Sequence, residues 1–356
     1  MTFDLDLALE HRYPSGCRIH GSIQVTAGVL ALFGPSGSGK SSLVSCLAGS
    51  LRPDQGHLRL NGRTLFDTMS KNWVPPEARN MGLVSQDLAL FPHLDLKRNL
   101  LYGARRAAGR GPGLDQVLDL LHLQGLEGRL PHQLSGGQRQ RVAIGRAVLS
   151  GAELLLLDEP VVALDERLRR QIIEDLDRML EAFGIPAVFV SHDVAEVKWF
   201  SDHVAILDEG RLVTCGPTRE VLDLAGRRGA VSPVNVVRVD GVTEADGQWS
   251  GQLGDQRLCF SPPAAPPKGG AVYLRFEARD LVIAREEIHG LSTRNRLTGR
   301  VAELVPLPGG AEVLVGIDCG ERLWAELTPA AVRELSLAPG AAVFVHLKST
   351  ALKPLG

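Results

Sequence analysis

The chain has 356 residues, 44% apolar and 22% charged, with a formal net charge of −2 at pH 7. That is the composition of an ordinary globular protein with room for two or three domains, and it excludes a global field that would recruit nucleic acid. Five widely separated cysteines (Cys17, Cys46, Cys215, Cys259 and Cys319) form no C-x-x-C pair, which points to reduced thiols in a cytosolic protein and away from a disulfide framework or a zinc site. The 10 histidines are scattered and make no metal-type cluster. Met1-Thr2-Phe3-Asp4-Leu5-Asp6 lacks the basic-then-apolar pattern of a signal peptide. No apolar run approaches the roughly 18 residues a membrane helix needs, so work at a membrane would require anchoring partners.

In chain order, the first informative segment is Gly34-Pro35-Ser36-Gly37-Ser38-Gly39-Lys40-Ser41, followed by Ser42. It is a complete G-x-x-x-x-G-K-[ST] loop. The apolar run Val29-Leu30-Ala31-Leu32-Phe33 precedes it, and Leu43, Val44 and Leu47 follow at helical spacing. A strand, a glycine-rich turn and a helix start are what phosphate binding needs. Glycines let backbone N–H groups converge on phosphate oxygens, and the helix dipole adds positive potential. Lys40 is placed to reach the β- and γ-phosphates, and the Ser41 hydroxyl to ligate Mg²⁺. The expected ligand is a nucleoside triphosphate. Kinases, small GTPases, helicases and transport ATPases all share this loop.

Asn61-Gly62, between Leu58-Arg59-Leu60 and Arg63-Thr64-Leu65, predicts a hairpin, and Asp208-Glu209-Gly210 predicts a second turn. Residues from about 94 to 150 read as helical, interrupted by Gly109-Arg110-Gly111-Pro112-Gly113. Glu153-Leu154-Leu155-Leu156-Leu157-Asp158-Glu159 reads as a buried parallel strand ending in two acids, and Ala187–Val190 as another before Ser191-His192-Asp193. Asp158 is positioned to hold Mg²⁺, directly or through water, and Glu159 to polarise an attacking water. After about residue 230 short alternating strands, among them 272–276, 313–315 and 343–345, are punctuated by glycine and proline and predict a small barrel; Pro262-Pro263 and Pro266-Pro267 bracket a loop.

Leu134-Ser135-Gly136-Gly137-Gln138, just before Arg139-Gln140-Arg141, resembles the signature sequence of ABC-transporter ATPases. Taken alone, the string also fits a capped helix start. The other family elements follow in order. Gln86 in Val84-Ser85-Gln86-Asp87 resembles the glutamine loop that senses Mg²⁺ and water and couples to membrane subunits. Ala163-Leu164-Asp165 resembles the loop crossing the dimer interface, and His192 the switch histidine that contacts the γ-phosphate. Tyr13 has two readings: an aromatic stacked on adenine, as in the family, or a ring packed against the sheet. Val162 stands where the importer branch usually has serine, and Ser85 where it often has phenylalanine.

The resemblance implies an α/β fold, with an ABC-type P-loop NTPase domain over residues 1–230 and a helical subdomain at about 87–150. A smaller all-β, OB-like barrel region would follow over 231–356. It implies that ATP is sandwiched between the phosphate loop of one subunit and Ser135, Gly136, Gly137 and Gln138 of another, so two chains would close head-to-tail. Two transmembrane permease subunits would dock on 88–100, which includes Phe91-Pro92-His93; a plain surface loop is the competing reading there. A periplasmic oxyanion-binding protein would take part indirectly, at the cytoplasmic face of a bacterial inner membrane, and no nucleic acid is implied.

Residues 292–301 and 343–350 resemble the opening and closing strands of a molybdate-binding domain of the oligonucleotide-barrel type, spanning about 290–356. The resemblance makes Ser292, Arg294, Asn295 and Lys348 candidate ligands of molybdate or tungstate; two cations and two neutral donors suit a tetrahedral dianion. A barrel that keeps its fold and binds nothing is the alternative. An importer of sulfate, phosphonate or sugar would share the first domain.

Overall fold

The computed structural model describes residues 1–104, 111–161, 166–227, 234–245, 247–263, 270–307 and 310–355. In β1 (Phe3–Arg12), Phe3, Leu5, Leu7 and Leu9 alternate with Asp4, Asp6, Ala8 and Glu10. The period of two sends the four large apolar side chains to one face, where all are buried. β2 (Arg18–Ala27) pairs with it antiparallel, from Phe3 opposite Ala27 to Arg12 opposite Arg18. β3 (Val29–Phe33) is apolar throughout and almost wholly buried, as a strand covered on both faces must be.

The phosphate-type loop leads into α1 (Lys40–Ala48), whose Leu43, Val44 and Leu47 are buried, each worth about 2 kcal/mol of apolar burial. β4 (Gln55–Leu60) and β5 (Arg63–Asp67) form the predicted hairpin. Asn61 and Gly62 both take positive φ, 51° and 76°, the signature of a two-residue type I′ turn. β6 (Asn72–Trp73) and β7 (Met81–Val84) follow.

The helical stretch resolves into α2 (Leu96–Leu101), α3 (Leu114–Leu120) and α4 (Gly136–Leu149). Asp95 caps α2 by accepting from Arg98 N, and Ser135 caps α4. Of the predicted interruption, Gly111–Gly113 is non-helical and Gly109-Arg110 lie outside the described residues.

β8 (Leu154–Asp158), α5 (Glu166–Phe183), β9 (Ala187–Ser191), α6 (Val194–Phe200), β10 (His203–Asp208), β11 (Arg211–Pro217) and α7 (Thr218–Arg227) complete this part of the chain. The 11 strands form one sheet in the order β6-β5-β4-β1-β2-β11-β10-β3-β9-β8-β7. β10, β3, β9, β8 and β7 run parallel. Phe33 stands opposite Ser191, Asp158 opposite Val190, and Val84 opposite Leu157. The carboxyl ends of four neighbouring strands therefore open on one edge, where α/β sheets place ligands. Leu30, Leu32, Leu43, Leu47, Leu154, Leu156, Val188 and Val190 share the core beneath it.

Contacts divide the chain into compact units at Val221/Leu222. In the second unit β12 (Val234–Ala245), β13 (Gln248–Leu253), β14 (Gln256–Phe260), β15 (Ala271–Glu277), β16 (Val282–Ala284), β17 (Asn295–Pro306), β18 (Val313–Asp318), β19 (Arg322–Leu327), α8 (Pro329–Glu334), β20 (Ala342–Leu347) and β21 (Lys353–Leu355) succeed one another. They form two five-stranded sheets, β14-β13-β12-β15-β21 and β16-β20-β17-β18-β19. Leu258, Leu274 and Phe276 of the first share a core with Leu297, Val315, Leu323 and Val345 of the second. Pro262-Pro263 is irregular, as predicted, and Pro266-Pro267 lies outside the described residues.

Two buried asparagines stitch these sheets at their edges. Asn235 of β12 accepts from Trp324 N (2.8 Å) and donates to Trp324 O (2.9 Å) on edge strand β19. Asn295 of β17 accepts from Cys259 N (2.6 Å) and donates to Cys259 O (2.8 Å) on edge strand β14. An asparagine amide presents one donor and one acceptor side by side, so each completes the ladder that an edge strand leaves open.

Candidate functional site

The loop between β3 and α1 is a cradle of backbone. Gly39 precedes α1 in the left-handed region with φ 101°, and no side chain caps the helix's amides. At Gly34 a Cβ would sit 2.1 Å from Leu207 O. At Gly210 (φ 79°), whose N–H donates to Ser38 O at 3.1 Å, a Cβ would sit 1.9 Å from Arg18 O. The predicted turn between β10 and β11 thus buttresses the loop. Ser38 Oγ is buried without a hydrogen-bond partner, as expected of a hydroxyl awaiting an oxyanion. Ser36 and Gly37 lie at the exposed crest of the loop, between Pro35 and Ser38.

Lys40 Nζ donates to Gly34 O and Pro35 O, both at 2.8 Å. Burial pushes its pKa down, opposed by the nearby Glu159 and Asp158 carboxylates. Ser41 Oγ donates to Asp158 Oδ1 at 3.1 Å, joining the start of α1 to the end of β8. Burial raises the Asp158 pKa; the Ser41 hydrogen bond opposes that, Glu159 adds to it, and Lys40 opposes it. A carboxylate and a hydroxyl in contact at the mouth of an anion cradle are oxygen donors fit for a hard divalent cation. Tyr13 OH donates to Ser42 Oγ at 2.8 Å, and its ring meets His11 edge-on, with centroids 4.7 Å apart. The ring also packs on the core, so the sheet-packing reading of Tyr13 describes its placement.

Glu159 follows β8 with φ 49°, a left-handed backbone that costs a non-glycine residue about 1 kcal/mol or more. Its Oε1 lies 3.6 Å from His192 Nδ1, which follows β9. The structure therefore gathers residues 34–42, Asp158, Glu159 and His192 at one sheet edge. Gln86 is exposed beyond β7 on that edge, next to a Ser85 Oγ–Asp87 Oδ1 bond of 2.5 Å.

Ser135, Gly136, Gly137 and Gln138 occupy a different place, the start of α4. Gln138 N donates to Ser135 Oγ (3.2 Å), and Ser135 N donates to Gln138 Oε1 (2.9 Å). The capped helix start that the string also fits is what the structure shows, with Ser135 exposed at the helix N-terminus. Val162, Ala163, Leu164 and Asp165 lie outside the described residues.

Sequence reasoning passed over the residues around His192. Ser191 Oγ donates to Glu196 Oε2 (2.5 Å) and accepts from Asp193 N (3.0 Å). Asp193 caps α6, and Arg169 of α5 lies 3.6 Å from Glu196. Burial raises the Glu196 pKa, and the Ser191 hydrogen bond opposes it. A small cavity behind His192 is lined by Glu159, Arg169, Ser191 and Glu196. Glu196, three residues after a helix-capping Asp193, had a readable spacing; Arg169 had none.

In the second unit, the pairing of Asn295 with Leu347 brings residues 292–294 and Lys348 to one end of the sheet. Ser292, Arg294 and Lys348 are exposed. Asn295 differs from the other three: it is 1% exposed, and its amide oxygen and nitrogen are engaged by Cys259, so in this structure it braces two sheets.

Residues 22–162 match the family model described as ABC transporter, and residues 291–354 that of the TOBE domain. The molybdenum import ATP-binding protein ModC of Mesorhizobium japonicum is 41% identical over 97% of this chain and 92% of its own length. The chain belongs to the ABC transporter ATP-binding family. A ModC of Yersinia pestis is 38% identical over 90% of both proteins. A solved structure, cbiO1 from Clostridium perfringens, part of the ABC transporter complex cbiONQ, is 26% identical with a TM-score of 0.54, covering 63% of this chain and 92% of that one. The ABC ATPase fold and the all-β TOBE-type tail are thus as the sequence predicted. As an ABC ATPase the chain is an ATP-hydrolysing transport subunit. Among its described residues no helix is long and apolar enough to cross a membrane.

Proposed function

We propose that this ABC ATPase is the energy-supplying subunit of a bacterial molybdate or tungstate importer. One observation carries the substrate: relatives named for molybdenum import align over nearly the whole chain, tail included. We divide the chain functionally into an ATPase domain, 1–230, with a helical subdomain at about 87–150, and a regulatory region, 231–356, whose part from about 290 takes the oxyanion.

The ATP phosphates would rest on residues 34–42, with Lys40 as the cation and the unpartnered Ser38 hydroxyl as a further donor. Mg²⁺ would be held by Ser41 and Asp158, with Gln86 approaching, and would offset phosphate charge. Tyr13 would border the adenine. Glu159 would accept the proton of the attacking water, and His192, within 3.6 Å of it, would touch the γ-phosphate. The exposed α4 terminus at Ser135, Gly136, Gly137 and Gln138, together with Asp165, would complete the site of a second copy. The resulting homodimer would drive two permease subunits, fed by a periplasmic binding protein, from the cytoplasmic face of the inner membrane.

The test is Glu159→Gln. It should bind ATP and accumulate as a closed dimer by light scattering while hydrolysis falls by about 100-fold or more. Undiminished hydrolysis would reject Glu159 as the base.

A further inference from the structure

Arg146 sits in α4, ten residues after its first residue Gly136, on the helix that Ser135 caps. Its guanidinium reaches away from that helix to the chain just past Gln86. Nη1 donates to Ala89 O and Nη2 to Leu88 O, both at 2.8 Å. The same group lies over the Phe91 ring, 5.3 Å from its centroid. Leu88 and Ala89 both have positive φ, 60° and 41°. Consecutive non-glycine residues in that region turn successive carbonyls in an uncommon direction, and something must hold them there. One forked cation donating to both carbonyls does so. Phe91 stacks in turn on Tyr102, at 4.1 Å between centroids, and its backbone is held by the buried Asn99 side chain. Burial pushes the Arg146 pKa down and nearby Asp87 pulls it back up.

We propose that Arg146 is a positioning residue that locks the segment after Gln86 to the signature helix, so that movement of one is movement of the other. This rests on the transport reading above, because the moving partner at residues 88–100 would be a permease. A load on that segment would pass through the Arg146 fork into α4, whose outward N-terminus serves the nucleotide of the other copy. Arginine suits this place because two separate nitrogens reach the two carbonyls while the flat guanidinium lies over the ring; a lysine ammonium can donate to two carbonyls, as Lys40 does, but has no planar face to lay on Phe91.

Two measurements on Arg146→Lys decide the matter, with Arg146→Met as a second variant that keeps the apolar stem. In the full chain alone, amide exchange at residues 88–91 should speed up at least about tenfold, with exchange in β8 and β9 unchanged. In the complex reconstituted with its permease, the KM for ATP should stay within about twofold while molybdate moved per ATP hydrolysed falls at least about tenfold. Unchanged exchange overturns the lock. Faster exchange with an unchanged transport ratio overturns the coupling. A wild-type complex that ignores molybdate would reject the transport reading instead, and the exchange result would still decide the lock.

Discussion

Replacing Asn295 with alanine separates a strut from a ligand. The side chain makes two hydrogen bonds, of 2.6 and 2.8 Å, to the backbone of Cys259 on an edge strand. Its loss leaves one N–H and one C=O facing the space it filled, at about 1–3 kcal/mol for each unsatisfied group. Water entering the gap recovers part of this, so the net cost should be about 2–4 kcal/mol. Such a loss corresponds to a fall in amide protection of about 30- to 1,000-fold across β14 and the start of β17, read by hydrogen exchange. Calorimetric titration with molybdate, at a temperature where the variant is folded, should give an affinity within about threefold of wild type. Wild-type protection combined with lost molybdate binding would refute the strut and return Asn295 to the oxyanion site.

Asp158→Asn should stabilise the nucleotide-free protein at neutral pH while abolishing Mg²⁺-dependent ATP binding. Burial raises the folded pKa of Asp158 above its ordinary value, so the unfolded chain gives up the proton first and stability falls as pH rises through that interval. The advantage of asparagine should therefore be full above the raised pKa and vanish below the ordinary carboxylate range, as thermal melts from pH 4 to 8 would record. Gly210→Ala should cost about 2–4 kcal/mol in chemical denaturation, since its Cβ would lie 1.9 Å from Arg18 O in a left-handed turn. It should also raise the KM for ATP, because the Gly210 N–H supports Ser38 O at 3.1 Å; an unchanged KM would detach that turn from phosphate binding.

The sequence was most legible where function forbids alternatives. The loop of residues 34–41 needs glycines, a lysine and a serine in fixed order, and the short apolar runs ending at Phe33, Leu157 and Val190 read as buried parallel strands, which they are. Asn61-Gly62 and Glu209-Gly210 fixed two turns through backbone preference alone. Long-range side-chain roles were hidden. Asn235 and Asn295 look like ordinary polar residues at strand starts until the facing sheet edge is seen. Nothing local marks Arg146 or Arg169, since their partners lie 58 and 27 residues away. The string at 134–138 allowed a cap or an anion site, and the structure shows the cap.

If this chain powers an oxyanion importer, its ATP hydrolysis is linked to passage of one class of anion. The most direct measurement is the ATPase rate of the complex with its permease and binding protein in sealed vesicles, challenged with molybdate, tungstate, sulfate, phosphonate and a sugar. The rate should rise several-fold with molybdate or tungstate, alongside their uptake, and stay at baseline with the others. Stimulation by sulfate, phosphonate or sugar with indifference to molybdate would contradict it.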